Sequence, residues 1–305
     1  MRITLKVDVD TLRGTREGVP ALLRLFERFG VRATFLFSLG PDHTGRAIRR
    51  VFRPGFIGKV GRTSVVEHYG IRTLLYGTVL PGPHIGRRAG ANMRDAAMSG
   101  HETGVHTYDH IRWQDFVAKR GEAWTRREFD RALTAYHEVF GEGPHTHGAA
   151  GWQMNEHAYR LEQRAGFPYA SDTRGTAPFR PLLDDTALEC IQLPTTLPTL
   201  DELIGLDGLT PDNVHERVLA ASRVDTEHGH VYTLHAELEG MKLMAVMERL
   251  LAAWKAEGFA IDAMDGLYAG LDVAALPRHR LATGTVAGRS GRLAVQGEPV
   301  VSGAN

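Results

Sequence analysis

A chain of 305 residues is long enough to bury a full core, and a single barrel-like α/β domain of that length is ordinary. Lys plus Arg and Asp plus Glu each number 36, so no global basic field points to nucleic acid, and none is expected as a partner. The one cysteine, Cys190, excludes an intrachain disulfide and a cysteine-built zinc cluster, as expected of a reducing compartment.

Ile3, Leu5, Val7 and Val9 alternate with Thr4, Lys6 and Asp8, which predicts a first strand delivering Asp8 and Asp10 at its C-terminal end. Residues i and i+2 share a strand face, so both carboxylates can point to one side. Gly18 and Pro20 open a helix with Leu22, Leu23, Leu25, Phe26 and Phe29 as its buried stripe and Gly30 as its stop. Ala33 to Phe37 reads as a second strand. The rhythm then breaks, and about 41–88 is expected to be an insertion, helical, basic and apolar. It resumes with a helix near Met93 to Ser99, a strand ending at Val105 and His106, and a helix from Thr125 to Phe140 stopped by Gly141. A short strand near 148–150, a helix over 156–165 and a strand at 189–192 follow. Thr210 and Pro211 start a helix, 231–234 is an apolar strand, 242–255 a helix and 259–261 a last strand. Strands alternating with helices predict α/β architecture, a distorted (β/α) barrel of about seven strands, with residues 1–275 as the catalytic domain. Residues 276–305 lose periodicity and are expected to be irregular. The N-terminus carries no apolar targeting segment, and no run of about 18 apolar residues could span a bilayer. A cytoplasmic protein that reaches membranes only by lying on them is expected.

Three clusters follow predicted strands, where parallel α/β proteins place their sites: Asp8-Val9-Asp10, His106-Thr107-Tyr108-Asp109-His110, and His235-Ala236-Glu237. Two histidines four apart on one helical turn can aim both imidazoles at a single ion, and one carboxylate completes three protein ligands. Such an open set is a catalytic pattern, because a structural zinc is normally closed by a fourth ligand. An isolated H-x-x-x-H or Asp-x-Asp would be weak, the latter doubling as a cap; their conjunction at strand ends is what carries weight.

Longer stretches resemble a known family. These are Asp8 to Pro20, Gly104 to His110, Ala149 to Trp152, Ser171 to Gly175, Pro178 to Pro181 and Leu234 to Glu237. Together they resemble the polysaccharide-deacetylase (NodB-homology) superfamily. Within it they are most similar to the 4-deoxy-4-formamido-L-arabinose-phosphoundecaprenol deformylases of lipid A aminoarabinose modification, from about residue 3 to the C-terminal segment. The resemblance implies one divalent ion (zinc, manganese or cobalt) on Asp10, His106 and His110, with Asp8 as general base and His235 as general acid. It also implies Trp152, Asp172, Arg174 and Arg180 as substrate-binding or supporting residues. The wider superfamily pairs an arginine with the base aspartate, but Gln153 stands where these deformylases carry one. Arg174 is the expected substitute, and Asp172 is expected to orient His235 or to pair with Arg174.

The implied substrate is a sugar on undecaprenyl phosphate, which is reached only at a membrane, here the inner face of the inner membrane. Arg46, Arg49, Arg50, Arg53, Lys59, Arg62, Arg72, Arg87, Arg88 and Arg94 stand against Glu67 alone and interleave with apolar residues. From pattern alone, a helical excursion packed on the barrel with a solvated basic face fits slightly better. The resemblance favours an anionic membrane surface met by Arg49, Arg50, Arg53, Phe52 and Phe56. Two other functions stay open on residues alone: a general carbohydrate N-deacetylase, and a carbohydrate- or metal-binding module without catalysis. Retention of both Asp8 and His235 argues against the second.

Overall fold

The structure is a computed structural model that describes residues 1–47 and 71–300. Its centre is strand β1 (Arg2–Val9), whose alternation has the predicted consequence. Ile3, Leu5, Val7 and Val9 enter the main apolar core beside Val19, Leu22 and Phe26. Thr4, Lys6 and Asp8 take the opposite face, inside the sheet's curvature, and are buried as well. Helix α1 (Val19–Phe29) supplies that core. Pro20 falls in its first turn, where a missing N–H costs no helical bond, and Gly30 at φ 59° ends it by donating to the Glu27 and Phe26 carbonyls.

Strands β2 (Thr34–Ser38) and β3 (Glu102–Thr107) extend the sheet on one side. On the other lies β8 (His230–His235), so the parallel ladder runs β3-β2-β1-β8, with β9 (Ala260–Asp262) also on β1. Ile3 pairs with both His230 and Ile261, so β8 and β9 lie on opposite edges of β1. Between β3 and β8 the circuit is carried by single bonds and by the two-residue strands β4 (Tyr169–Ala170) and β7 (Ile191–Gln192), which pair in parallel. Val105 N donates to Thr146 O (3.1 Å), Ser171 N to His147 O (2.8 Å), Leu193 N to Ala170 O (2.8 Å) and Thr196 N to Val231 O (3.1 Å). This is the expected distorted barrel, with a loose side opposite β1.

Helices cover the outside: α2 (Ile71–Leu75), α3 (Ile85–Met98), α4 (His110–Phe116), α5 (Glu122–Phe140), α6 (Glu156–Ala165), α7 (Leu200–Leu203), α8 (Val214–Ser222), α9 (Met244–Ala256) and α10 (Met264–Ala269). Two expectations fail here. α3 starts at Ile85 rather than near Met93, because its first turns contain Gly86 and Gly90, which blur the apolar stripe. A Cβ on Gly86 would sit 3.0 Å from Leu39 O, so that face packs backbone against backbone. The stretch near 148–150 is a turn, not a strand, meeting β3 through the Val105–His147 bridge and through Gly148 O against His106 Nδ1.

The C-terminal segment is not irregular. Strands β10 (Arg278–Gly284) and β11 (Leu293–Pro299) form an antiparallel pair. They share a second sheet, in the order β11-β10-β5-β6, with β5 (Arg180–Leu183) and β6 (Thr186–Ala187). Little of β10 is buried, and in β11 only Leu293 and Ala294 are, so the apolar alternation that marks a strand is absent from the sequence. Long-range pairing supplies the order: Arg174 N donates to Ala294 O (3.0 Å) and Gln296 N to Arg174 O (2.8 Å). Among the described residues no helix is long and apolar enough to cross a membrane.

Candidate active site

Asp8 and Asp10 leave the C-terminal end of β1, His106 that of β3 and His235 that of β8, so three parallel strands of one sheet deliver their side chains to one rim. His106 Nε2 lies 3.2 Å from Asp10 Oδ1, and His110 Nε2 lies 3.4 Å from Asp10 Oδ2. The imidazoles stack with centroids 5.3 Å apart. The two histidines do not share a helical turn as expected. His106 belongs to β3, while His110 opens α4, capped by Asp109, which accepts from Arg112 N at 3.1 Å. A strand-to-helix turn brings them together, because a β-region cap residue separates them.

The donor set suits a divalent ion. One ligand atom from each of Asp10, His106 and His110 lies within 4.8 Å of the others. Nδ1 of His106 lies 2.6 Å from Gly148 O, and since a carbonyl only accepts, the proton sits on Nδ1 and the Nε2 lone pair faces Asp10. Asp10 Oδ1 is a buried oxygen without a hydrogen-bond partner, an arrangement a cation would relieve. Burial raises the Asp10 carboxyl, yet the imidazoles of His110, His106 and His235 outweigh it and hold Asp10 well below the usual carboxylate range.

His235 stands directly across the ladder from Asp8. Burial disfavours its charged form, but the carboxylates of Asp201, Asp10, Asp8 and Glu239 prevail and raise its pKa, favouring the imidazolium. Its backbone N–H donates to Glu239 Oε2 at 2.9 Å, and its Nδ1 is buried without a partner. Glu237 ties the loop after β1 down. Its Oε1 accepts from Asp10 N (3.0 Å), Thr11 N (2.8 Å) and Thr11 Oγ1 (2.8 Å). Burial and the Asp10 charge push its carboxyl up to about 8. Gly14 is required beside it, since a Cβ there would fall 1.9 Å from Glu237 Oε1.

The expected supporting residues are placed differently. Asp172 reaches neither His235 nor Arg174. It is fully buried against His147 Nδ1 (2.9 Å), Gln192 Nε2 (2.8 Å) and Ala149 N (2.8 Å). Arg174 does not pair with Asp8, because Glu202 holds its guanidinium together with the Thr195 and Leu197 carbonyls. Trp152 is only 2% exposed. Arg174 and Arg289 lie over its ring at 5.1 and 4.7 Å, so it forms an inner wall rather than an open platform. Its φ of 53°, unusual for a bulky residue, is held by the bond from its Nε1 to Thr195 Oγ1 (3.3 Å). Arg180 pairs with Glu189 Oε2 at 2.9 Å on β5, away from the histidines' own contacts. Arg49, Arg50, Arg53, Phe52 and Phe56 lie outside the described residues.

Three site residues escaped sequence reasoning. Glu237 and Gly148 sat inside or beside quoted motifs without a role. Lys6, fully buried, lies 3.6 Å from Asp8 Oδ1. A lysine two positions before Asp8 on a central strand was the available signal, since that face has no route to solvent.

A scan against protein-family models finds no match. The chain is similar to a protein of Shewanella sediminis named probable 4-deoxy-4-formamido-L-arabinose-phosphoundecaprenol deformylase ArnD, with 37% identity over 250 residues, 82% of this chain and 80% of that protein. A protein of the same name from Wigglesworthia glossinidia brevipalpis is 30% identical over 284 residues, covering 93% and 98%. Among solved structures, a Mycobacterium smegmatis protein named for the polysaccharide deacetylases superposes with a TM-score of 0.63 at 19% identity, covering 93% of this chain and 94% of that one, a likeness of fold. With this identity over most of its length, the chain belongs to the 4-deoxy-4-formamido-L-arabinose-phosphoundecaprenol deformylase family, hydrolases of an amide bond on the polysaccharide-deacetylase fold.

Proposed function

We propose that this chain hydrolyses the formamide of 4-deoxy-4-formamido-L-arabinose carried on undecaprenyl phosphate, giving the free amine and formate. The observation that carries the reading is the pairing of Asp8 with His235 on adjacent strands, beside a triad built to hold a cation. Asp10, His106 and His110 would hold one divalent ion, zinc, manganese or cobalt. When bound, it lowers the pKa of water and polarises the formamide oxygen. Asp8 takes the proton of the attacking water, since β1 delivers its carboxylate to the rim directly across from His235. As the C–N bond breaks, the His235 imidazolium gives its proton to the amine nitrogen, because an amide anion is a very poor leaving group.

The relatives' name supplies the substrate class, and an undecaprenyl tail requires the protein to work at a membrane surface. The basic and apolar residues between Arg46 and Arg94 support peripheral docking on anionic lipid at the inner face of the inner membrane. The test is formate release from a short-chain lipid-linked formamido sugar by protein reloaded with each divalent ion, alongside the acetamido analogue. Formate release abolished by chelator is expected. Turnover of the acetamido sugar alone would replace this reading with general N-deacetylation.

A further inference from the structure

We infer that Lys6 is the positioning cation of the base: its ammonium, sealed beneath the site, holds Asp8 as an oriented carboxylate. The inference rests on Asp8 acting as base.

A buried ammonium without compensation costs several kcal/mol, so its surroundings reveal what it serves. Lys6 is wholly enclosed, and among the described residues its Nζ has three neighbours. It donates to Ser171 O at 3.0 Å, lies 5.4 Å from the Trp152 ring centroid, and stands 3.6 Å from Asp8 Oδ1. Asp8 is the one charged group of the three. Gln153 takes no part, since its side chain donates to Arg292 O at 2.8 Å, toward the C-terminal hairpin.

The separation has a chemical consequence. At 3.6 Å the ammonium stabilises the carboxylate by charge without a hydrogen bond to Oδ1, the enclosed oxygen, and so fixes Asp8 from the interior side. Full enclosure keeps Lys6 off the substrate, so it acts through Asp8. Gly148 makes the arrangement possible. A Cβ there would lie 3.0 Å from Lys6 Cε, 3.3 Å from Nζ and 2.3 Å from Leu36 Cδ1. The same residue's carbonyl takes the His106 proton, so one turn supports both the base's cation and a candidate ligand.

The test compares Lys6→Met, Lys6→Arg, Asp8→Asn and the double variant Lys6→Met/Asp8→Asn by kcat, KM and metal content. Lys6→Met is expected to keep metal and KM and to lose roughly 10- to 100-fold in kcat, as loss of a supporting residue does, with partial recovery in Lys6→Arg. In the Asp8→Asn background the same change is expected to cost under about twofold, because two residues acting as a unit are not additive. Wild-type kcat in Lys6→Met, or an equal loss in both backgrounds, overturns the role of Lys6. Wild-type kcat in Asp8→Asn instead overturns the base assignment. A second readout needs neither turnover nor a folded Lys6→Met. In nitrogen-15 spectra the slowly exchanging Lys6 ammonium, identified by its loss in Lys6→Arg, is expected to shift on Asp8→Asn. An unshifted signal overturns the pairing.

Discussion

At the scale of the residue, the proposed site divides into groups that would hold an ion and groups that would move protons, and substitution separates them. His106 and His110 meet Asp10 through their Nε2 atoms, so replacing either by alanine removes one of the three donors of the candidate triad. Elemental analysis of His106→Ala and His110→Ala is expected to show metal greatly reduced; full occupancy in both would mean that the triad is wrongly assigned. Asp8→Asn and His235→Ala are expected to fold and keep metal while losing on the order of 10²–10⁴-fold in rate, the usual worth of a general base or acid. Near-normal turnover in both would sink that assignment. Metal loss in Asp8→Asn would show the two aspartates in exchanged roles. All five residues were legible in the sequence, because each belongs to a short motif at a strand end. Lys6 was not, since a lone lysine in a strand reads as a solvent-facing residue until the sheet is seen to close over it.

At the scale of the element, the loose side of the barrel is held by a buried charge cluster rather than by a ladder. His147 Nδ1 lies 2.7 Å from Glu162 Oε1 on α6 and 2.9 Å from Asp172 Oδ1. Burial alone would lower the His147 pKa, but the adjoining carboxylates of Asp172 and Glu162 raise it to about 10. Burial and Asp172 likewise push the Glu162 carboxyl well above its ordinary range. The folded state therefore keeps protons that the unfolded chain releases. The His147 part of this stabilisation is complete below the ordinary histidine value of 6.5 and is lost as pH rises toward about 10. Denaturant midpoints are expected to fall across that window. His147→Gln is expected to be less stable at neutral pH by about 3–5 kcal/mol, with a flatter pH dependence, since it leaves the Asp172 carboxylate buried without its cation. Identical pH profiles for the two proteins would refute the account. Sequence periodicity could not foresee this cluster, nor the β10-β11 pair. In both, order comes from partners far away in the chain.

At the scale of the whole molecule, zero net charge hides an uneven distribution, with a strong basic excess in the stretch from Arg46 to Arg94. Near an anionic bilayer each basic residue contributes roughly 1 kcal/mol, a term that salt screens. Replacing Arg49, Arg50 and Arg53 by glutamate is expected to release the protein from anionic vesicles at low salt while sparing a soluble short-chain substrate. Cosedimentation decides it: a wild type that stays in the supernatant, or a triple variant that still pellets fully, would remove the docking role from this segment.

Local chemistry was enough for the sequence to determine the alternating strands, the amphipathic helices with their glycine stops, and the clusters of carboxylates and histidines at strand ends, because periodicity and strand-end motifs are short-range properties. The roles proposed for those residues come instead from the family resemblance. Tertiary structure alone decided which groups surround them. Arg174 was free in the sequence to reach Asp8, but Glu202 claims it; Asp172 was free to orient His235, but His147 claims it. The cation nearest the base came instead from β1 itself, because curvature of the sheet turns the inner face of β1 into a sealed interior where a lysine must find a carboxylate.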